Sequence, residues 1–477
     1  MTDARRLLVV GGGIGGYTAA IRAARHGLAV TLVEQDRLGG TCLNVGCIPS
    51  KSLLHQARAF RDAAAHADAA RGAPAPDLAS IRRERDAVVR RLVDGVGTLV
   101  ARNRVTRVDG TASFVDGRRV RVTGCEAPIE FDACVIATGS RAARPPIPGI
   151  GLDGVIDSDA AVALAAVPRR LAVVGGGVVG VELAQVYADL GARVTIVERL
   201  ERLIAGEDPD VSDVLRAGLA ARGVDVRLGV EIEAIVGADG ALELRLASGK
   251  VGADAVLVAT GRVPRIDGLG LDAAGVRVER GAIVTDARRR TSAPGIWAVG
   301  DVRGDAMLAH EAAADAECAI ADLLGLRSCR AAQVIPRAVY TSPAVAAVGF
   351  TEAQAREACA ELRIGRFPLS ANGKALADGA PDGFVKVLAD GADGRIVGVS
   401  MVGAGVTELL GEATLAVQME LTAQALAETV HAHPTLSEAL AEAAHDAHDG
   451  GAIHLPPRGA GARPATRPNA TRTRSPA

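Results

Sequence analysis

The chain has 477 residues, 49% of them apolar and only 2% aromatic, with a formal charge of −2. That length implies several domains whose cores are built from Ala, Val, Leu and Ile rather than from rings. The mixed charge excludes a basic nucleic-acid groove or an extended membrane-binding face, no apolar run is long enough to span a bilayer, and seven cysteines at irregular spacing exclude a secreted disulfide framework. The start, MTDARR, runs straight into LLVV (7–10), leaving no room for a signal or transit peptide, so a soluble cytoplasmic protein is the expectation.

In chain order, the first predicted unit is LLVVGGGIGGYTAAIRAARHGLAVTLVE, ending at Glu34. It reads as an apolar strand, a glycine turn, an amphipathic helix and a β-branched strand closed by a carboxylate. Gly11 permits the tight turn, Gly13 lets a pyrophosphate approach the backbone, and Gly16 lets the helix pack against the strand. The phosphates then sit at a helix N-terminus, where free N–H groups and the helix dipole favour an anion, while Glu34 can accept from ribose hydroxyls. Next comes GGTCLNVGCIPSK (39–51), with Cys42 and Cys47 close together and a helix predicted to continue through KSLLHQARAF. The segment FDACVIATGS (131–140) ends an apolar strand in Ala137-Thr138-Gly139.

The segment LAVVGGGVVGVELAQVYADLGARVTIVE then repeats the first unit, with Gly175, Gly177, Gly180 and the closing Glu198. One such glycine motif is a weak signal; two complete units with the same interval from first glycine to carboxylate are a strong one. ADAVLVATGR (253–262) repeats the A-T-G and closes at Gly261, and IWAVGDV (296–302) is a further strand ending in Gly300-Asp301. From about Gln333 the pattern changes to short strands followed by helices from about Thr407 to Ala444. The fold class is therefore α/β, with two Rossmann-like dinucleotide-binding domains and a C-terminal α+β domain. The final stretch, PPRGAGARPATRPNATRTRSPA, has no acids and no periodicity and reads as a disordered basic tail.

Three readings of Cys42 and Cys47 compete. As zinc ligands they need two more ligands at suitable spacing, and the sequence has no second close cysteine pair; no metal site is expected. They could also be two buried structural thiols. As a redox-active disulfide they fit the two dinucleotide motifs, because a flavin can take two electrons from a thiol pair and pass a hydride to a nicotinamide. The dipole of the following helix, with Lys51, favours a thiolate there. At the far end, HAHPTLSEAL (431–440) places His433 before a proline with Glu438 five residues on, a pair in which the carboxylate can hold one ring nitrogen while the other moves protons.

GGTCLNVGCIPSK resembles the active-site segment of the flavoprotein disulfide reductases, most closely their dihydrolipoamide dehydrogenase branch, and the resemblance extends from about Leu7 to Leu455. It implies FAD on the first glycine motif, with Glu34, Lys51, Ala137, Thr138, Gly139, Asp301 on the ribitol, and Met307, Leu308 and Ala309 at a helix start facing the ring. It implies NAD on the second motif and Gly261, with Glu198 disfavouring a 2′-phosphate, although Arg199 and Arg202 lie close by. It assigns Cys42 and Cys47 to the redox disulfide, Glu182 to the partner of Lys51, His433 to the base and Glu438 to its orienter, and leaves His431 structural.

The implied domains are FAD-binding 1–150, NAD-binding 151–270, a second FAD-binding or central part 271–332, a dimerisation (interface) domain 333–455 and the tail 456–477. The implied activity is oxidation of protein-bound dihydrolipoamide by NAD⁺. The implied assembly is a homodimer whose C-terminal segments reach the other subunit's cysteines. The implied partner is a lipoyl-bearing acyltransferase subunit or a glycine cleavage carrier protein. Another disulfide reductase of the family, similar to glutathione or mercuric reductase, and a flavoprotein sensor or scaffold are the alternatives. Val178 in place of a tyrosine, and the lack of a C-terminal vicinal cysteine pair, argue against the first; the intact Cys42, Cys47, His433 and Glu438 set argues against the second.

Overall fold

The apolar runs around the two glycine motifs form the central strands of two parallel sheets. The computed structural model describes residues 5–65, 75–238, 241–326 and 334–455, so the expected basic tail at 456–477 lies outside the described residues. The chain divides into two compact units, one comprising 1–205 and 216–333, the other 206–215 and 334–477.

In the first unit, one five-stranded sheet has the order Ile296–Ala298, Ala133–Ile136, Arg6–Val10, Ala29–Glu34, Thr106–Asp109, every pair parallel. The second has the order Asp225–Arg227, Arg193–Val197, Arg170–Val174, Ala255–Val258, Val155–Ile156, again all parallel. Strands covered on both faces need apolar residues at every position rather than at alternate ones, which is why LLVV and LAVV read as continuous runs. Alternate side chains still part to opposite faces. Leu7 and Val9 enter a core with Trp297 and Ala316, whereas Leu8 and Val10 enter one with Phe114 and Phe131.

The helices of this unit that position chemistry are α1 (Ile14–Arg25), α2 (Gly40–Asn44), α3 (Cys47–Ala65) and α4 (Leu78–Arg102). They are followed by α5 (Ser158–Ala163) and α6 (Val178–Asp189). The predicted helix after the cysteine pair is α3, and it begins on Cys47 itself. The long helix α4, capped by the Asp77 carboxylate accepting from Ser80 N–H, carries no motif and was not among the expected elements.

The segment 206–215, which opens α7 (Pro209–Ala220), belongs to the second unit; α8 (Ala309–Leu323) belongs to the first. The second unit is an antiparallel sheet in the order Arg337–Val339, Ala344–Gly349, Ile396–Gly403, Phe384–Asp390, Leu362–Pro368. Its helices are α9 (Glu352–Ala358), α10 (Gly373–Ala377), α11 (Val406–Gln418), α12 (Ala423–Ala427) and α13 (Glu438–His448). Lys386, 2% exposed in the sheet, holds Asp208 at 2.9 Å, Asp210 at 3.0 Å and Glu352 at 3.2 Å. A buried ammonium is tolerable only with such paired carboxylates, and these tie the 206–215 segment into its unit.

The helical region expected from about Thr407 to Ala444 is interrupted. Glu420, in the left-handed region at φ 55°, closes α11, with the Leu421 N–H returning to the Ala416 carbonyl at 2.9 Å. The Thr422 side chain then caps α12, and the stretch around His433 is non-helical. Local caps overrode a helical pattern that looked continuous in sequence.

Candidate active site

The first glycine motif is built from steric necessity. Gly11 sits at φ +104°, and a Cβ on Gly16 would lie 1.7 Å from the Gly11 carbonyl oxygen, so α1 packs on its strand only with glycine there. Gly13 differs: the nearest atom to a Cβ would be 3.8 Å away. Internal packing does not require that glycine, but an unobstructed approach to the helix start does. No side chain caps α1, leaving its first N–H groups to an anion. The Glu34 carboxylate is fixed by Gly12 N–H at 2.6 Å and Asp36 N–H at 2.9 Å.

The second motif repeats this. A Cβ on Gly180 would lie 2.0 Å from the Gly175 oxygen, while one on Gly177 would meet nothing within 4 Å. No side chain caps α6, and Glu198 accepts from Gly176 N–H at 2.6 Å and Leu200 N–H at 2.7 Å. Gly261 stands at φ +124°, and its carbonyl accepts from Ala143 N–H at 2.9 Å. Uncapped helix starts, cleared approaches and oriented carboxylates fit two dinucleotides.

Between the motifs, Cys42 in α2 and Cys47 at the start of α3 share a hydrogen bond in the dithiol form. The Cys47 thiol is lowered to about 7, first by the hydrogen bond from Cys42 and then, against the opposing effect of burial, by the Lys51 charge. The Cys42 thiol is pushed up by that same hydrogen bond and by burial, so Cys47 carries the thiolate and Cys42 the proton. The Lys51 ammonium is held 2.8 Å from Glu182 of α6, whose side chain is 4% exposed. The structure thus brings Cys42, Cys47, Lys51 and Glu182 together in the first unit.

The predicted A-T-G and G-D segments also meet. Thr138 Oγ1 donates to the Arg265 carbonyl at 2.7 Å, and Ala137 N–H donates to the Val10 carbonyl at 2.8 Å. Asp301 lies in a 3₁₀ turn at Gly300–Arg303 and accepts from Ser140 Oγ at 2.5 Å. Arg262 donates to Ser140 Oγ at 2.7 Å. That turn is anchored by fully buried Asp315, which accepts from Gly300 N–H at 3.0 Å, from Arg289 at 2.5 Å and from Arg303. Ser140 and Arg262 directly follow the two A-T-G turns, but nothing in the sequence links either to Asp301, and Asp315 lies in no motif. Met307, at φ 55°, and Leu308 precede α8, which starts at Ala309 without a side-chain cap.

In the second unit, His433 Nδ1 is 2.9 Å from Glu438, whose other oxygen accepts from Thr435 N–H at 2.8 Å. Burial pushes the Glu438 carboxyl up, but the Thr435 N–H and the His433 ring more than offset this, and it lies below its ordinary value. The His433 side chain is 78% exposed, so its second nitrogen is free to meet a substrate. His431 is 7% exposed and fixed on both sides, by Glu412 at 2.8 Å and the Thr429 carbonyl at 2.8 Å, as a structural residue would be.

Comparison with known proteins agrees with this geometry. Residues 5–316 match the family described as pyridine nucleotide-disulphide oxidoreductase, and residues 335–444 match its dimerisation domain. The chain is 41% identical to dihydrolipoyl dehydrogenase 3 of Pseudomonas aeruginosa, over 94% of this chain and 99% of the relative. It is 40% identical to dihydrolipoyl dehydrogenase of Bacillus subtilis, over 92% and 97%. Among solved structures it resembles the HOCl-induced flavoprotein disulfide reductase RclA of Escherichia coli, at 30% identity and TM-score 0.84, covering 91% and 98%. It also resembles LpdA of Mycobacterium tuberculosis, at 28% identity and TM-score 0.85, covering 93% and 99%. Proteins of this kind use FAD and NAD(H). With both family regions matched in order, the chain belongs to the pyridine nucleotide-disulphide oxidoreductases.

Proposed function

We propose that the protein is a dihydrolipoyl dehydrogenase, oxidising protein-bound dihydrolipoamide to lipoamide with reduction of NAD⁺. The observation that carries this reading is the acid-shifted Cys47 beside Lys51, in the unit that holds both dinucleotide motifs. The likeness to dihydrolipoyl dehydrogenases along nearly the whole chain supports the choice of substrate.

In the oxidised resting form, Cys42 and Cys47 are joined. His433, oriented by Glu438, takes a proton from one substrate thiol, and the resulting thiolate attacks Cys42 Sγ. The Cys42–Cys47 bond breaks, leaving Cys47 as a thiolate that Lys51 stabilises. The second substrate thiol then displaces Cys42, so the dithiol substrate leaves as a disulfide and the protein holds the two electrons. FAD, which the first glycine motif with Glu34 and Lys51 would hold, would supply the two-electron link from the thiol pair to NAD⁺. Glu182 keeps Lys51 in place throughout.

The family's dimerisation domain supports a homodimer in which the His433 segment serves the cysteine pair of a second copy. A lipoyl-bearing acyltransferase subunit or a glycine cleavage carrier protein is the partner that would present the substrate, and the cytoplasm is where such partners work. Among the described residues no helix is long and apolar enough to cross a membrane. The deciding measurement is NADH formation from dihydrolipoamide and NAD⁺ by the flavin-loaded protein, with NADP⁺ in parallel. Turnover with NAD⁺ alone is expected. A yellow protein without turnover would move the assignment to another disulfide or to a metal ion.

A further inference from the structure

Helix α6 ends on an acid in the wrong place. Asp189 is its last residue, where the helix dipole disfavours a negative charge, and its side chain is only 1% exposed. Both features work against an ionised carboxylate, and burial does push the Asp189 carboxyl up. What compensates comes from two other parts of the chain. Arg61 of α3 lies 3.3 Å from Asp189, and Arg222, in the turn after α7, lies 3.3 Å from the same oxygen. Gln185, one turn back in α6, donates to the other oxygen at 3.3 Å. Arg58 and Asp62 of α3 also face Arg222.

The partner helix matters. α3 carries Cys47 and Lys51 in its first turns, and α6 starts at the second dinucleotide motif and carries Glu182. The two helices are therefore joined twice and in the same direction. Lys51–Glu182 joins them near their N-termini. Arg61–Asp189 joins them about 15 Å further along α3 and about 10 Å further along α6, the long arginine stem spanning the mismatch. α3 packs along α6, but a single ion pair whose cation is a third exposed adds only weak resistance to rotation at that interface. The second attachment has the same form, a buried carboxylate (Asp189, 1% exposed) under a cation about a third exposed (Arg61, 36%), and two such pairs spaced along the helices restrain a rotation that one does not.

We propose that Asp189 and Arg61 form a positioning clamp that fixes α3 against α6 and so keeps Lys51 seated on Glu182 beside Cys47. Neither residue touches a reacting atom. Their effect passes through Lys51, whose field on the Cys47 thiolate outweighs the opposing one of Glu182. The inference rests on reading Cys47 as the redox thiolate.

The test is the pH profile of Cys47 alkylation by iodoacetamide, followed by mass spectrometry on the reduced, flavin-loaded full chain. Wild type should show a midpoint near the lowered value of about 7. In D189N the freed Lys51 moves to solvent, the midpoint rises, and the rate below it falls about threefold or more, since thiolate fraction tracks the shift directly. Because D189N removes the carboxylate that faces the largely buried Arg222, R61M, made on the more exposed side of the pair, is the second variant and should move the midpoint the same way. R61K, which keeps the charge, should restore most of it. If D189N and R61M lower the melting temperature while the Cys47 profile stays at the wild-type midpoint, the clamp is merely structural and the proposal fails. A wild-type profile with no acid-shifted Cys47 overturns the thiolate reading itself, and the clamp with it.

Discussion

The two glycine motifs are near copies in backbone and opposites in surroundings. Gly11 N–H donates to the Val33 carbonyl at 2.8 Å, and Gly175 N–H donates to Val197 at 2.9 Å. The closing carboxylates bind the second glycine N–H at the same 2.6 Å. The difference lies over the helix starts. A Cβ on Gly15 would meet Val299 at 3.1 Å and the Ala312 carbonyl of α8 at 3.2 Å, so the start of α1 is roofed. The matching residue of α6, Val179, is 37% exposed, and Val178 before it is 42% exposed. One local design is therefore used in an enclosed setting, suited to a ligand that stays, and in an open one, suited to a ligand that exchanges. What is asked of each cradle is set by its neighbours rather than by the motif.

The sharpest way to break that contrast is at the packing glycines. G16A would force a Cβ to 1.7 Å from the Gly11 oxygen and should give protein that purifies without flavin colour. G180A, with the corresponding distance of 2.0 Å, should keep its flavin absorbance and instead raise the KM for NAD⁺ by about tenfold or more, the loss of a charge-assisted phosphate contact. Flavin loss in G180A, or retention in G16A, would erase the division of labour.

Between the cradles, C47S should abolish dihydrolipoamide turnover yet leave flavin bound, and H433Q should lower turnover by about 10²- to 10⁴-fold, the range for losing a general base. Loss of flavin in C47S would mark that cysteine as structural. A smaller change is expected from E198A. Removing the carboxylate should reduce the preference for NAD⁺ over NADP⁺ by about tenfold in kcat/KM, with Arg199 and Arg202 nearby to receive the extra phosphate. E34A should leave that ratio unchanged.

The pH dependence has a defined sign. Cys47 is lowered to about 7, so its thiolate is lost as the pH falls through that value, and steps needing it should slow about tenfold per unit below it. Glu438 gives the smallest effect. Its carboxyl is lowered, so its pairing contributes stability above the ordinary carboxylate value and loses it as the pH falls through the lowered one. E438Q should therefore reduce the melting temperature slightly at pH 7 and progressively less as the pH falls below the ordinary carboxylate range. A reduction that does not change with pH would detach stability from that carboxylate's charge.

Much of this was legible in sequence because the relevant physics is local. The turn glycines, the uncapped helix and the carboxylate that reaches back to Gly12 or Gly176 all lie within one strand–helix–strand unit, so spacing alone specifies them. The Cys42–Cys47 pair and the helix that begins on Cys47 are likewise contiguous. His433 and Glu438 lie within one loop and the start of α13, and their spacing suffices to bring them to 2.9 Å.

Sequence reading ran out where a side chain's role depends on partners far along the chain. Asp301 is oriented by Ser140 and Arg262, and its turn by Asp315, Arg289 and Arg303. Lys386 with Asp208, and Arg61 with Asp189, are of the same kind. A buried charge is tolerable only when its partner arrives from elsewhere, and composition and periodicity carry no record of which partner that is. By itself, the sequence determined the two cradles, the thiol pair and its basic neighbour, because backbone sterics and short-range hydrogen bonds set them. Tertiary structure alone decided which cradle is roofed and which arginine meets which buried acid, because those outcomes depend on packing between distant segments.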